Sequence, residues 1–310
     1  MGQHGLPARR RPLVVLSATS SRYTRRIDKL GRLWIPIALV ALCVIAALAY
    51  AIATMRAAEP VIVAERAVAI SRDGREMAVI ENFGDREQLV ARQKEGEREQ
   101  LLDSEVPGSI GGVTFAATGE RIAFVSPRGG AGRRDIWQVD RRAGTLRRLT
   151  ARGGATFPRY SPDGTLLIYT SGAGGVYEPR VVHLATGNDV RLGKGIDALA
   201  GDVSPDGQSV AVIERACTWG SGGWGLAVVP IRGADVRRIV TPVSPDPSGG
   251  IRWSPDGRSL YFISNGGTPN VWLTTIDGRL QHPVTNFHSG TIVTYELAQD
   301  GKSIEAIRAR

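Results

Sequence analysis

The chain is poor in the residues that carry chemistry. Its 310 residues include two cysteines, four histidines and three methionines. Cys217 is the only cysteine after Cys43, so the region around it can form no internal disulfide and must hold its shape by burial. His4, His183, His282 and His288 are scattered and do not stand at metal-ligand spacing. The motif Gly-x-Ser-x-Gly does not occur, which removes the nucleophile elbow of a serine hydrolase; Gly220-Ser221-Gly222-Gly223 reads as a flexible loop instead. No metal, cofactor or catalytic residue is expected from this inventory.

Glycine, in contrast, recurs. Ser161-Pro162-Asp163-Gly164 is repeated as Ser204-Pro205-Asp206-Gly207 and Ser254-Pro255-Asp256-Gly257. Degenerate copies are Ser71-Arg72-Asp73-Gly74, Ala116-Ala117-Thr118-Gly119 and Ala298-Gln299-Asp300-Gly301. A fixed period of this length marks a repeat architecture. Proline presets φ for the first central position of a turn, aspartate bonds nearby backbone, and glycine accepts positive φ. The five aspartates of this set, Asp73, Asp163, Asp206, Asp256 and Asp300, are therefore read as turn residues and not as catalytic acids.

Strand-like runs flank each phrase. Ile122-Ala123-Phe124-Val125, Leu166-Leu167-Ile168-Tyr169, Val210-Ala211-Val212-Ile213 and Leu260-Tyr261-Phe262-Ile263 follow it. A second glycine series, Gly96, Gly144, Gly187, Gly233 and Gly278, runs out of phase with the first and separates two further runs in each period. Four strands in about 45 residues is the blade of a β-propeller. The phrase, with its flanking aromatic and the apolar run after it, resembles the WD-repeat-like propeller repeat of the TolB family over about residues 61 to 310. Related blades occur in the prolyl-oligopeptidase and dipeptidyl-peptidase families. The resemblance implies a propeller that binds proteins, peptides or envelope components. It does not imply catalysis, and the separate hydrolase domain of the peptidases has no counterpart here. The histidine and metal pattern of lyases on similar propellers is not matched.

The expected fold is all-β: a six-bladed propeller over 56–310 whose last blade is incomplete. Its sixth repeat supplies strand a near Thr294–Leu297 and strand b near Ser303–Ile307, and an N-terminal strand, Val61-Ile62-Val63-Ala64, is expected to add beside strand b and cover an otherwise open edge.

Before the propeller, Leu33 to Met55 contains no charged residue. At about 1.5 Å per residue this run is long enough to cross a hydrocarbon core of about 30 Å. Arg9, Arg10, Arg11, Arg22, Arg25, Arg26, Lys29 and Arg32 crowd its N-terminal side, against Arg56 alone on the other. The positive-inside rule then gives a cytoplasmic leader (1–32), one transmembrane helix (33–55) and a periplasmic propeller on a single-pass inner-membrane protein. A cleavable signal peptide is the competing reading, with Ala47-Leu48-Ala49 and Ala51-Ile52-Ala53 as cleavage-like sites. The same sorting explains the charge. The leader holds eight basic side chains against Asp28, which is +7 of the net +9, so the rest of the chain carries only +2. Nucleic acid is therefore not an expected partner.

Binding is expected on the rim formed by the b–c and d–a loops, because loops on a rigid scaffold are where recognition residues collect. Arg128, Arg133, Arg134, Tyr177, Arg180, Trp219 and Trp224 are the candidate contacts, of the residue types that anchor interfaces. Trp219 and Trp224 have an equally good reading as caps on the core. The expected function is an anchored, exported scaffold for a protein, peptide or envelope component. A sensor arm of a signalling or transcription-regulatory membrane protein is the alternative, and a hydrolase or lyase the third.

Overall fold

The structure is a computed structural model. It describes residues 13–19, 68–82, 87–93, 96–104, 110–130, 132–173, 175–215, 223–233, 235–241, 243–247, 250–264, 267–298 and 303–309. Residues 13–19 group with 63–310 in one compact unit; the second unit, 1–12 with 20–62, falls outside the described residues, as does the expected transmembrane run. Among the described residues no helix is long and apolar enough to cross a membrane.

Every strand is antiparallel to its neighbours. The N-terminal strand β1 (Leu13–Thr19) is followed by a first sheet of β2 (Val68–Ile70), β3 (Glu76–Asn82), β4 (Glu87–Gln93) and β5 (Arg98–Ser104). The second comprises β6 (Gly111–Phe115), β7 (Arg121–Ser126), β8 (Asp135–Asp140) and β9 (Thr145–Arg148). The third comprises β10 (Ala155–Tyr160), β11 (Leu166–Ala173), β12 (Val176–His183) and β13 (Asp189–Arg191). The fourth comprises β14 (Ala198–Val203), β15 (Ser209–Arg215), β16 (Trp224–Pro230) and β17 (Arg237–Ile239). The fifth comprises β18 (Ile251–Trp253), β19 (Ser259–Ile263), β20 (Val271–Thr275) and β21 (Gln281–Pro283). The last sheet has β22 (Thr291–Leu297) and β23 (Ser303–Ala309), with β1 on the outside of β23.

The apolar runs after each turn phrase are buried on both faces, and alternation decides which neighbour each residue meets. Ile122 and Phe124 pack into the core shared with the first sheet, while Ala123 and Val125 pack into the core shared with the third. Val210 and Val212 face the third sheet, and Ala211 and Ile213 face the fifth. Leu260 and Phe262 face the fourth sheet, and Tyr261 and Ile263 the last. The cores therefore lie between consecutive sheets, stacked face to face. The first strands β2, β6, β10, β14 and β18 touch in chain order, and β22 touches β2. Arg252 of β18 meets Glu296 of β22 at 3.0 Å, so the first strands form a closed cycle around an axis.

The turn phrase works as its residue types require. In Ser161-Pro162-Asp163-Gly164 the Ser161 hydroxyl donates to Asp163 at 2.5 Å and accepts the Leu166 amide at 2.9 Å. Asp163 also accepts the Thr165 amide at 3.0 Å, and Gly164 takes φ of 69°. The arrangement recurs at Ser71, Ser204 and Ser254. Asp73, Asp163, Asp206 and Asp256 are thus turn residues, as expected; Asp300 lies outside the described residues.

The covering of β23 differs from expectation. The strand beside it is Leu13–Thr19, paired from Leu13 opposite Ala309 to Thr19 opposite Ser303. Val61–Ala64 lies outside the described residues. An N-terminal strand does protect the edge, but a different one: an uncharged, largely apolar run inside the basic leader.

Candidate functional site

The axis is built from one register position. The residues two places before the first residue of each turn phrase are Ala69, Thr114, Arg159, Asp202, Arg252 and Glu296. Each belongs to the first strand of its sheet. The four from the third sheet onward alternate in sign and bond to one another. Arg159 donates to Asp202 at 3.0 Å and to both oxygens of Glu296 at 2.5 and 2.8 Å. Arg252 donates to Glu296 at 3.1 and 3.0 Å and to the Ile251 carbonyl at 3.0 Å. Asp202 accepts the Trp253 amide at 3.0 Å, and its carbonyl accepts the Trp253 indole at 3.1 Å. Burial of Glu296 opposes its charge, but the Arg159 and Arg252 guanidiniums overcome this and hold its carboxyl down at about 2.

Ala69 and Thr114 are small and carry no charge. A cavity of about 290 Å³ lies there, lined by Arg72, Thr114, Phe157, Arg159, Arg252 and Val293 among others. A second cavity of about 360 Å³ is ringed by the second residues of the turn phrases, Arg72, Ala117, Pro162, Pro205 and Pro255, and shares the belt residues. The first-strand ladders carry irregularities in β6, β10, β14 and β22, at Gly112, Phe157-Pro158, Gly201 and Val293. All five of these residues line the first cavity. Bulges of this kind re-aim side chains next to sites. Phe157 shows the cost: at φ of 51° it is the only described non-glycine residue with positive φ, and it is 40% exposed.

The rim residues are divided. Arg128, Arg133 and Arg134 are exposed on the segment between β7 and β8. The Arg133 stem packs over Gly153, and Arg134 reaches over Gly111. Tyr177 and Trp224 are brought together, ring centroids 6.2 Å apart, with Arg215 5.3 Å from the Tyr177 ring. Both rings pack against the core between the fourth and fifth sheets, so Trp224 has the capping role. Arg180 is buried within its own sheet, donating to Asp189 at 2.8 Å and facing Glu178 at 3.4 Å, and so is committed to structure. Trp219 lies outside the described residues. Two other loop residues pin connections: fully buried Asp135 accepts from Arg148, Thr150 and the Gly153 amide at 2.5, 3.0 and 3.0 Å, and Asn270 accepts from Thr285 and the Phe287 amide at 2.9 and 2.7 Å. Among the described residues no group of three histidine, cysteine or acidic side chains stands close enough to hold a metal.

The structural neighbours are TolB-like β-propellers and related propeller proteins. A putative TolB from Agrobacterium tumefaciens aligns with a TM-score of 0.63 and 18% identity, over 80% of this chain and 91% of that one. TolB from Acinetobacter baumannii aligns with a TM-score of 0.58 and 18% identity over 80% of this chain, which spans only 55% of that protein. A gluconolactonase from Xanthomonas campestris aligns with a TM-score of 0.55 and 17% identity, over 80% of this chain and 86% of that one. At such identities the likeness establishes the β-propeller fold and nothing finer. No protein-family model and no curated protein sequence matches the chain.

Proposed function

We propose that this chain is a six-bladed propeller that serves as a binding scaffold, held at the inner membrane by residues 33–55 with the propeller on the periplasmic side, and that its ligand is a protein or peptide taken at the axis. The observation that carries the reading is the axial belt. A general acid or base works best with a pKa near the working pH. Glu296 is held at about 2 by two guanidiniums, which suits a fixed charge and not a proton carrier. The belt stiffens the ring by tying β10, β14, β18 and β22 together, and it leaves a cavity open beside it. The rim plays a smaller part than the sequence suggested, since Arg180 and Trp224 serve their own blades.

Anchoring bears on β1. A single crossing by 33–55 would put Leu13–Thr19 and β23 on opposite sides of the membrane, so that topology and the β1–β23 pairing exclude each other. In the anchored chain another segment must cover β23, and the 61–64 run is the expected one.

The test is site-specific photo-crosslinking in the full-length chain in its native membranes. A photoreactive residue at Phe157 should capture a discrete partner, while one at exposed Leu146 on β9 should not. Equal labelling from both positions, or none from Phe157, would refute axial binding. Recovery of the chain in the soluble fraction after alkaline extraction would refute the anchor.

A further inference from the structure

Among the described residues the charges at the axis do not balance. Arg159 and Arg252 are matched by Asp202 and Glu296. Arg72 is a third cation lining both axial cavities, and among the described residues its side chain makes no hydrogen bond or ion pair. It occupies the turn position that Pro162, Pro205 and Pro255 hold in the intact copies of the phrase. Proline there is pre-organised for the turn. Arginine adds nothing to the turn, and here it supplies a guanidinium to the axis. Partly buried and without a partner among the described residues, it offers a fork of donors suited to a planar carboxylate.

The same cavity has an apolar side next to its belt residues Arg159, Arg252 and Glu296. Phe157, Pro158 and Val293 line it, and Phe157 and Val293 are 40% and 41% exposed. Phe157 keeps its strained backbone while remaining exposed, which burial alone does not explain. The volume of about 290 Å³ is at the small end for ligand pockets and suits one residue of a peptide, not a large molecule.

We propose that Arg72 is the anion-recognition residue of the axial cavity, which receives the carboxylate of a peptide together with an adjacent apolar group held by Phe157 and Val293. This rests on the axial-scaffold reading and names its ligand chemistry. Two sources supply that chemistry: the terminal carboxylate of a peptide ending in an apolar residue, or an aspartate or glutamate side chain beside an apolar one.

The experiment is ligand-observed NMR and calorimetry on the purified full-length chain in detergent micelles. The probes are acetyl-Gly-Leu-Phe as the free acid, the same peptide as its amide, acetyl-Gly-Glu-Phe amide, and inorganic phosphate. The free acid should bind at least about tenfold more tightly than its amide, the gain expected of one charge-assisted contact. The glutamyl amide reports the side-chain source. If it binds as the acid does and the plain amide does not, the carboxylate comes from within a chain. Arg72→Gln should abolish the preference for a carboxylate with an unchanged melting temperature, and Arg72→Lys should restore part of it. Phe157→Gly should weaken every peptide while raising the melting temperature, since glycine relieves the positive φ; a merely structural Phe157 would do the reverse. Acid and amide binding alike, phosphate binding where no peptide does, no peptide binding at millimolar concentration, or Arg72→Gln binding like the parent would each overturn the proposal. Crosslinking from Phe157 that persists in Arg72→Gln would leave the scaffold standing while this assignment falls.

Discussion

Neutralising Glu296 while keeping its shape, as Glu296→Gln, tests the axial belt directly. In the folded chain this carboxylate accepts from Arg159 at 2.5 and 2.8 Å and from Arg252 at 3.1 and 3.0 Å. Without the charge Arg159 still has Asp202, but Arg252 keeps no carboxylate, only the Ile251 carbonyl at 3.0 Å and the Tyr295 ring 5.3 Å away. Removing one partner of a buried ion pair costs about 3–5 kcal/mol, chiefly because a cation is left unpaired. Linkage gives a similar figure: a carboxyl lowered from its ordinary 4.5 to about 2 contributes about 3 kcal/mol at neutral pH. At about 2–4 °C per kcal/mol for a domain of this size, the variant should melt about 6–20 °C lower. The sign of the pH effect follows from the lowered pKa. The contribution is complete above pH 4.5 and is lost as pH falls toward 2, so the gap between parent and variant should be full at pH 7 and nearly closed at pH 2.5. Thermal melts followed by far-ultraviolet circular dichroism across this range read it out. A second substitution, Arg252→Met in the Glu296→Gln background, should recover part of the loss by removing the stranded cation. No gap at neutral pH, or an equal gap at pH 2.5 and 7, would refute the account.

Three further perturbations address the frame around the belt. Gly201→Ala should destabilise the ring severely, because a Cβ there would stand 1.9 Å from Ile251 and 2.5 Å from the Ala211 carbonyl; the soluble yield and melting temperature measure it. Ser204→Ala removes the hydroxyl that bonds Asp206 at 2.5 Å and the Ser209 amide at 2.9 Å, and should cost about 1 kcal/mol in a urea titration. The same hydroxyl, with the Gln208 amide, holds Asp206 below the ordinary carboxylate range, so this cost should shrink as pH falls below about 4. A Val15→Cys, Ile307→Cys pair, in a background without Cys43 and Cys217, joins residues that face each other across β1 and β23; it should crosslink where that pairing forms and stay reduced in the membrane-anchored chain.

How far the sequence reaches is best seen at one register position. The turn phrase is visible as a period, and it gives the strands, the turns and the propeller. The axial residues are in the same period, two places earlier, yet Ala69, Thr114, Arg159, Asp202, Arg252 and Glu296 share no residue type. Read singly they look like ordinary strand polarity. Read in phase they form a ring, and the alternation of sign over the last four is the signal that was there to use. What no pattern supplies is the partner: Arg159 and Glu296 are separated by 137 positions and meet only because the ring closes. Burial of Arg180 was equally hidden, because its mate Asp189 sits on the next strand of the same sheet. Composition picks residue types suited to binding, but does not tell which have already spent their donors within the fold.

That distinction decides between rim and axis. A repeat ring presents much the same surface at every blade, so a site must come from positions where the repeats differ. At the turn phrase the difference is Arg72 in place of proline; at the belt it is two small residues among four charged ones; at the bulges it is Phe157, strained where its counterparts are glycine or valine. These departures are spread over the first three blades and converge on one cavity. On the rim only Tyr177 and Trp224 meet among the candidates, and both rings cover core; the three exposed arginines stand on the second sheet, and Arg180 is buried in the third. In a toroid every blade contributes to the axis, and the axis is where its asymmetries add up.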